Sequence, residues 1–124
     1  DTTNDIDPSH QCDHALDAVE FCELFADNSV ECVLFDPPYS VRQVSECYTR
    51  MGRTVTATDT SASFWSRAKA QVSRVVRPGG VVIAFGWNSG GIGKKYGFEL
   101  IEILLVPHGG AHNDTICTVE RKRK

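Results

Sequence analysis

Val33-Leu34-Phe35-Asp36-Pro37-Pro38-Tyr39 is the stretch that decides how this chain reads. Val30 to Phe35 is short, apolar and bounded by turn residues, the pattern expected of a strand buried on both faces of a parallel sheet. The four residues that follow place a carboxylate, a carbonyl and an aromatic face at that strand's exit. This set suits chemistry on the exocyclic amine of a flat nitrogenous base. Such an amine is a poor nucleophile because its lone pair is delocalised into the ring, and two hydrogen-bond acceptors favour the tetrahedral nitrogen that reacts. The Asp36 carboxylate would accept one N–H. The Pro37 carbonyl, freed because Pro38 has no N–H and a narrow φ, would accept the other. Tyr39 would stack on a base that has left its helix.

The rest of the chain arranges itself around this corner. Residues 1–12, rich in Asp, Thr and Asn, read as an irregular arm, and Asp13 is placed to cap a helix running to about Phe25. After the corner, residues 40–59 are polar and without a strong period, so they read as mostly a long mobile loop, with a short helix as an alternative, carrying Arg42, Arg50 and Arg53. Thr60 or Ser61 would cap a helix to about Val76, with Phe64, Ala68, Val72, Val75 and Val76 facing inward and Trp65 also assigned to the core. Arg77-Pro78-Gly79-Gly80 should break it. Val81 to Phe85 is the next strand and runs into a glycine-rich connection, Gly86 to Lys95; Phe98 to Val106 is the third. Pro107 to Asn113 is too short for a crossover helix, so Asp114 to Glu120 should return antiparallel. The layout is α/β, small and Rossmann-like, with a mainly parallel sheet and a C-terminal antiparallel hairpin. Active groups in such sheets gather at the carboxyl ends of the parallel strands. That rule brings the Asp36 corner, Gly86 to Ser89 and the Pro107 to Asn113 turn to one edge.

Val33 to Ser40 resembles the catalytic DPPY motif of the amino-methylating DNA methyltransferases, the adenine-N6 and cytosine-N4 group. The likeness runs over roughly residues 13–120 and includes Asp27-Asn28-Ser29-Val30, Arg77-Pro78-Gly79-Gly80 and the closing hairpin. It implies methyl transfer from S-adenosylmethionine to a base amine by direct attack on a sulfonium, catalysed by positioning and electrostatics. Adenine N6 in DNA ranks first, with an RNA base as an alternative. On this resemblance Asp36, Pro37, Pro38 and Tyr39 are catalytic. Asp36, Gly86 and Asn88 would meet the cofactor; Arg42, Arg50, Arg53, His108 and Asn113, with His112 nearby, would meet DNA. The family also keeps a Phe-x-Gly-x-Gly-type cofactor loop and an acidic ribose ligand. Neither stands before Asp36, so the chain reads as truncated relative to full class I methyltransferases. It is then a minimal enzyme, one part of a split or homo-oligomeric enzyme with a complementing subunit, or a relic that binds nucleic acid without methylating.

Totals bound these readings. A length of 124 residues fits one domain, with residues 1–12 as an arm and 121–124 as a frayed basic tail. The net charge of −3 hides an asymmetry: ten acidic and no basic residues up to Asp36, then six acidic and thirteen basic, so the later part is the one that attracts a polyanion. The five cysteines are unclustered and fit reduced thiols. With no signal-peptide pattern and no membrane-length apolar run, a cytoplasmic setting is expected. The histidines lack ligand spacing, so no metal site is expected.

Overall fold

The computed structural model describes residues 1–52, 54 and 62–124. Helices α1 (Ala18–Glu23), α2 (Val41–Arg50) and α3 (Ala62–Val75) accompany strands β1 (Val30–Phe35), β2 (Val76–Gly86), β3 (Phe98–Val106) and β4 (Thr115–Lys122). The strands form one open sheet in the order β1-β2-β4-β3. β1 and β2 are parallel, whereas β4 is antiparallel to both β2 and β3. The expected α/β layout is therefore present, and three strands share one direction. The hairpin closes inward: β4 enters between β2 and β3 rather than extending the edge.

Register defines two faces, because partners across a ladder point to the same side. Phe35, Ala84 and Thr118 form one row, and Val33, Val82 and Glu120 the next. α3 covers these rows, joining Ala68, Val72 and Val75 to Phe35, Val82, Ala84, Ile92 and Phe98 in the core, with Cys22 of α1 at its margin. Leu34, Ile83 and Val119 form a row on the opposite face, where Leu34 is 69% exposed. This corrects the expectation of a strand buried on both faces. β1 is an edge strand among the described residues, and Glu31, Cys32 and Leu34 are exposed. β3 is similarly bare beyond Phe98, leaving Leu100, Ile101, Ile103, Leu104 and Leu105 exposed.

Local chemistry moves several expected boundaries. Asp17, not Asp13, caps α1 by accepting the Val19 N–H; the Asp13 carboxylate is spent on the Thr3 N–H and hydroxyl, 2.8 and 2.9 Å away. Asn4 clasps Leu16 through both its amide groups, so the N-terminal arm is tied down. The segment expected to be mostly loop, with a short helix as an alternative, starts as the ten-residue helix α2, capped by Ser40. Thr60 and Ser61, the expected caps of α3, lie outside the described residues. Arg77 to Gly80 does not separate helix from strand: it forms the bulged start of β2, with Gly79 at φ 79 supplying the left-handed turn.

The basic tail is also ordered. Lys122 Nζ donates to the Ser73 and Val76 carbonyls at 2.6 and 2.7 Å and to Asn28 Oδ1 at 3.0 Å. The last carbonyls of a helix lack intrahelical donors, and a cation there satisfies them. Lys122 thus fastens β4 to the passage from α3 into β2.

Candidate active site at the sheet tips

The corner is held from three sides. β1 turns the Phe35 ring inward to the core while Asp36, next in the alternation, is exposed. Ser40 accepts the Gln43 N–H at 3.2 Å, and the Gln43 side-chain carbonyl reaches back to the Tyr39 N–H. This is a variant of the reciprocal Ser-x-x-Gln cap, and it anchors the corner to α2. From α3, Trp65 Nε1–H donates to the Pro38 carbonyl at 3.1 Å. Trp65, expected in the core, is therefore a wall of the site.

Two further loops meet Tyr39. Its ring lies edge-to-face with Trp87, centroids 5.7 Å apart at 78°. Its hydroxyl donates to Asp36 Oδ1 at 2.9 Å, and the Thr115 side chain lies close enough to oppose the upward shift of the phenol. Thr115 in turn meets His108 Nε2 at 2.9 Å. The corner, the connection after β2 and the base of the hairpin thus converge at one end of the sheet, as the parallel-strand rule requires. Burial pushes the Tyr39 phenol up to about 12, helped by the hydrogen bond to Asp36 and the charge of that carboxylate. Tyr39 is consequently a neutral donor at ordinary pH.

Beneath the corner lies a cleft lined by Pro37, Pro38, Trp65, Gly86, Asn88 and Thr118, among others. Its volume is about 80 Å³, enough for several waters. S-adenosylmethionine is far larger. The glycine connection does not supply the missing cradle: Ile92 and Gly93 donate their N–H groups to the carboxylate of Glu120, at 2.6 and 2.9 Å. Glu120 is 3% exposed. Gly91, at φ 51, passes so close to Glu120 and Thr118 that any Cβ would collide.

Other expected contacts are not gathered here. Arg42 pairs with Glu46 at 2.7 Å on the exposed side of α2, Arg50 is exposed at that helix's end, and Arg53 lies outside the described residues. Asn113 is exposed; its carbonyl meets His112 Nδ1 at 3.2 Å, and the His108 and His112 rings lie 4.1 Å apart. Much of the positive surplus has structural work. Arg74 bonds the Cys22 and Phe25 carbonyls and Asp27, while Arg77 and Arg123 pair with Glu31 and Glu99. Trp65, Lys69, Gln43 and Thr118 were not foreseen as site residues. Ser40-Val41-Arg42-Gln43 carried the signal for one of them; the others depend on where α3 and β4 dock.

No protein-family model matches the chain, and no curated protein does. Solved structures do. TTHA0409 of Thermus thermophilus, a candidate DNA modification methylase, aligns at 19% identity and TM-score 0.56 over 87% of this chain and 51% of its own. Its complex with S-adenosyl-L-methionine aligns at TM-score 0.53 and 18% identity, over 87% and 51% of the two chains. The [4+2]-cyclase SpnF aligns at TM-score 0.51 and 15% identity, over 93% of this chain and 57% of its own. A cyclase among the matches makes plain that the fold alone does not fix methyl transfer. The chain is a small α/β domain of methyltransferase-like fold that spans about half the length of the solved chains it resembles.

Proposed function

We propose that this chain is the base-binding, catalytic half of an S-adenosylmethionine-dependent methyltransferase acting on an exocyclic base amine, with adenine N6 in DNA as the first candidate. The observation that carries the reading is the meeting of Asp36, Tyr39, Trp87 and the Thr115–His108 pair at the carboxyl ends of β1 and β2, above an open cleft of about 80 Å³. Asp36 and the Pro37 carbonyl accept the two amine hydrogens, the amine displacing the Tyr39 hydroxyl from Asp36. Tyr39, released from that bond, stacks on the ring, while Trp65 holds the Pro38 carbonyl and so fixes the turn. When bound, S-adenosylmethionine supplies an electrophilic methyl sulfonium. The chain offers it one wall, through Asp36, Gly86 and Asn88.

The exposed edge of β1 and a length near half that of TTHA0409 favour a second reading, in which a complementing segment or subunit builds the cofactor side. Calorimetric titration with S-adenosylmethionine, with and without duplex DNA, separates the two readings. Methyl transfer is then read by mass spectrometry of digested nucleosides, with RNA as a parallel substrate. Asp36→Ala should lower the transfer rate by roughly two to three orders of magnitude while leaving salt-dependent DNA affinity within about twofold. Equal losses in both would sink the role given to Asp36. A wild-type chain that binds DNA but neither cofactor nor methyl group would instead be a nucleic-acid-binding relic.

A further inference from the structure

Among the described residues β3 is an edge strand, hydrogen-bonded to β4 on one side only. Its side chains are bare in both directions. Ile103 and Leu105, the partners of Thr118 and Ile116, point to the sheet face on which α3 packs, yet they are 51% and 58% exposed; Leu104, the partner of Cys117, points to the other face and is 58% exposed. A helix or a flat apolar surface laid on the sheet would cover one of these rows and leave the other. A strand added at the free edge lies beside both, because its own side chains alternate between the two faces. Native edge strands are normally blunted by lysine, proline or a bulge. β3 has no lysine and no proline, and its one bulge, between Leu100 and Glu102, leaves Glu102 to Val106 regular.

We propose that β3 is a dimerisation edge, where the β3 strands of two copies of this chain pair antiparallel about a two-fold axis at Leu104. In that register Leu104 meets Leu104 of the second copy, Ile103 meets its Leu105 and Glu102 its Val106. The paired stretch stays clear of the bulge, and it avoids a two-fold at Glu102, which would set like charges opposite each other. The joint is self-complementary and closed, whereas pairing β3 with β1 of another copy would run head-to-tail and leave a bare β3 at the growing end. Leu100, Ile101, Ile103, Leu104 and Leu105 are each about half exposed. At on the order of 100 Å² apiece, two copies bring about 1,000 Å² of apolar side chain to the joint, close to the least that a stable interface needs. α3 and the cleft stay uncovered, and the two Asp36 corners point to opposite ends of the joined sheet.

The test is sedimentation equilibrium of the full chain from about 1 to about 200 µM, in the wild type, Leu104→Lys and Leu34→Lys, with amide hydrogen exchange of the wild type at both ends of that range. The wild type should pass from monomer to dimer with a Kd in the micromolar range. Leu104→Lys should weaken association at least about tenfold. Its melting temperature at the dilute end should match that of the wild type, since the side chain is exposed in the single copy. Leu34→Lys, on the other edge strand, should dimerise as the wild type does. Amides of Glu102 to Val106 should gain protection with concentration and those of β1 should not, a readout that decides the matter even if Leu104→Lys fails to fold. Five results overturn the proposal: a wild type monomeric throughout, dimers untouched by Leu104→Lys, an equal loss in Leu34→Lys, growth beyond the dimer, or protection that rises in β1 and not in β3.

Discussion

The two faces of the sheet have had very different treatment. On one, Phe35, Val82, Ala84, Thr118 and Glu120 lie beneath α3 and the loop that Glu120 clamps. On the other, Leu34 and Leu104 are 69% and 58% exposed, in rows that hold Ile83, Val119, Phe85 and Cys117 but reach Glu102 on β3; β3 is bare on both faces, since Ile103, the partner of Thr118, is 51% exposed. Parallel strands normally have helices on both sides. The difference teaches that residue type reports what a surface is built to meet, whereas exposure reports what it meets within this chain. The cleft opens on the finished face, where Trp65 and Thr118 line it, while Asp36 and Thr115 stand at the strand tips.

That contrast is open to attack by substitution. Phe98→Ala, on the finished face, should cost about 3–5 kcal/mol in denaturant unfolding, because Phe98 is fully buried in the core. A loss no larger than that of a surface residue would mean that the two faces do not differ in packing. Glu120→Gln should cost roughly 1.5–3 kcal/mol, since a charged acceptor of two backbone N–H groups is replaced by a neutral one. Hydrogen exchange at Ile92 and Gly93 should accelerate with it; unaltered protection would refute the clamp. Leu34→Ser, on the bare face, should stay within about 0.5 kcal/mol. A larger penalty in the isolated chain would show that this face is already covered in solution.

The finest contrast is in pH. Tyr39 is raised from 10.0 to about 12, first by burial and then by Asp36. Because the fold favours the neutral phenol, its contribution is complete below about pH 10 and is lost as pH rises through about 12. Ultraviolet titration of tyrosinate should therefore show one late phase, absent from Tyr39→Phe. Ionisation of all tyrosines in a single early phase would argue that the corner is open in solution.

Legibility in the sequence followed the range of the interactions. β1, β2 and β3 and the convergence of three loops were readable because short apolar runs and turn residues are local signals. The start of α1 was missed because Asp13 and Asp17 are equally good caps on paper, and only the Thr3 contact commits Asp13 elsewhere. Residues 40–59 read as mostly loop with a short helix only as an alternative, although Ser40 and Gln43 stand at capping distance. The basic tail looked frayed because nothing nearby explains Lys122; its three partners are all remote in sequence. In the site, Asp36 to Tyr39 were visible as a motif. Trp65 and Thr118 were not, since a tryptophan in an apolar helix and a threonine in a strand look alike whether they face a core or a cleft.

The position of β4 has a consequence for how the chain folds. It lies between two strands that both precede it, so during synthesis β2 stays with one edge unmade until β3, the hairpin and β4 have all emerged. Over that interval Val81 to Gly86 is an apolar ribbon with free hydrogen-bonding groups, and the nascent chain is at its most prone to stick to others. The strand that fills the gap then brings Lys122 onto the carbonyls at the end of α3, so one late docking event both closes the sheet and locks the helix above it.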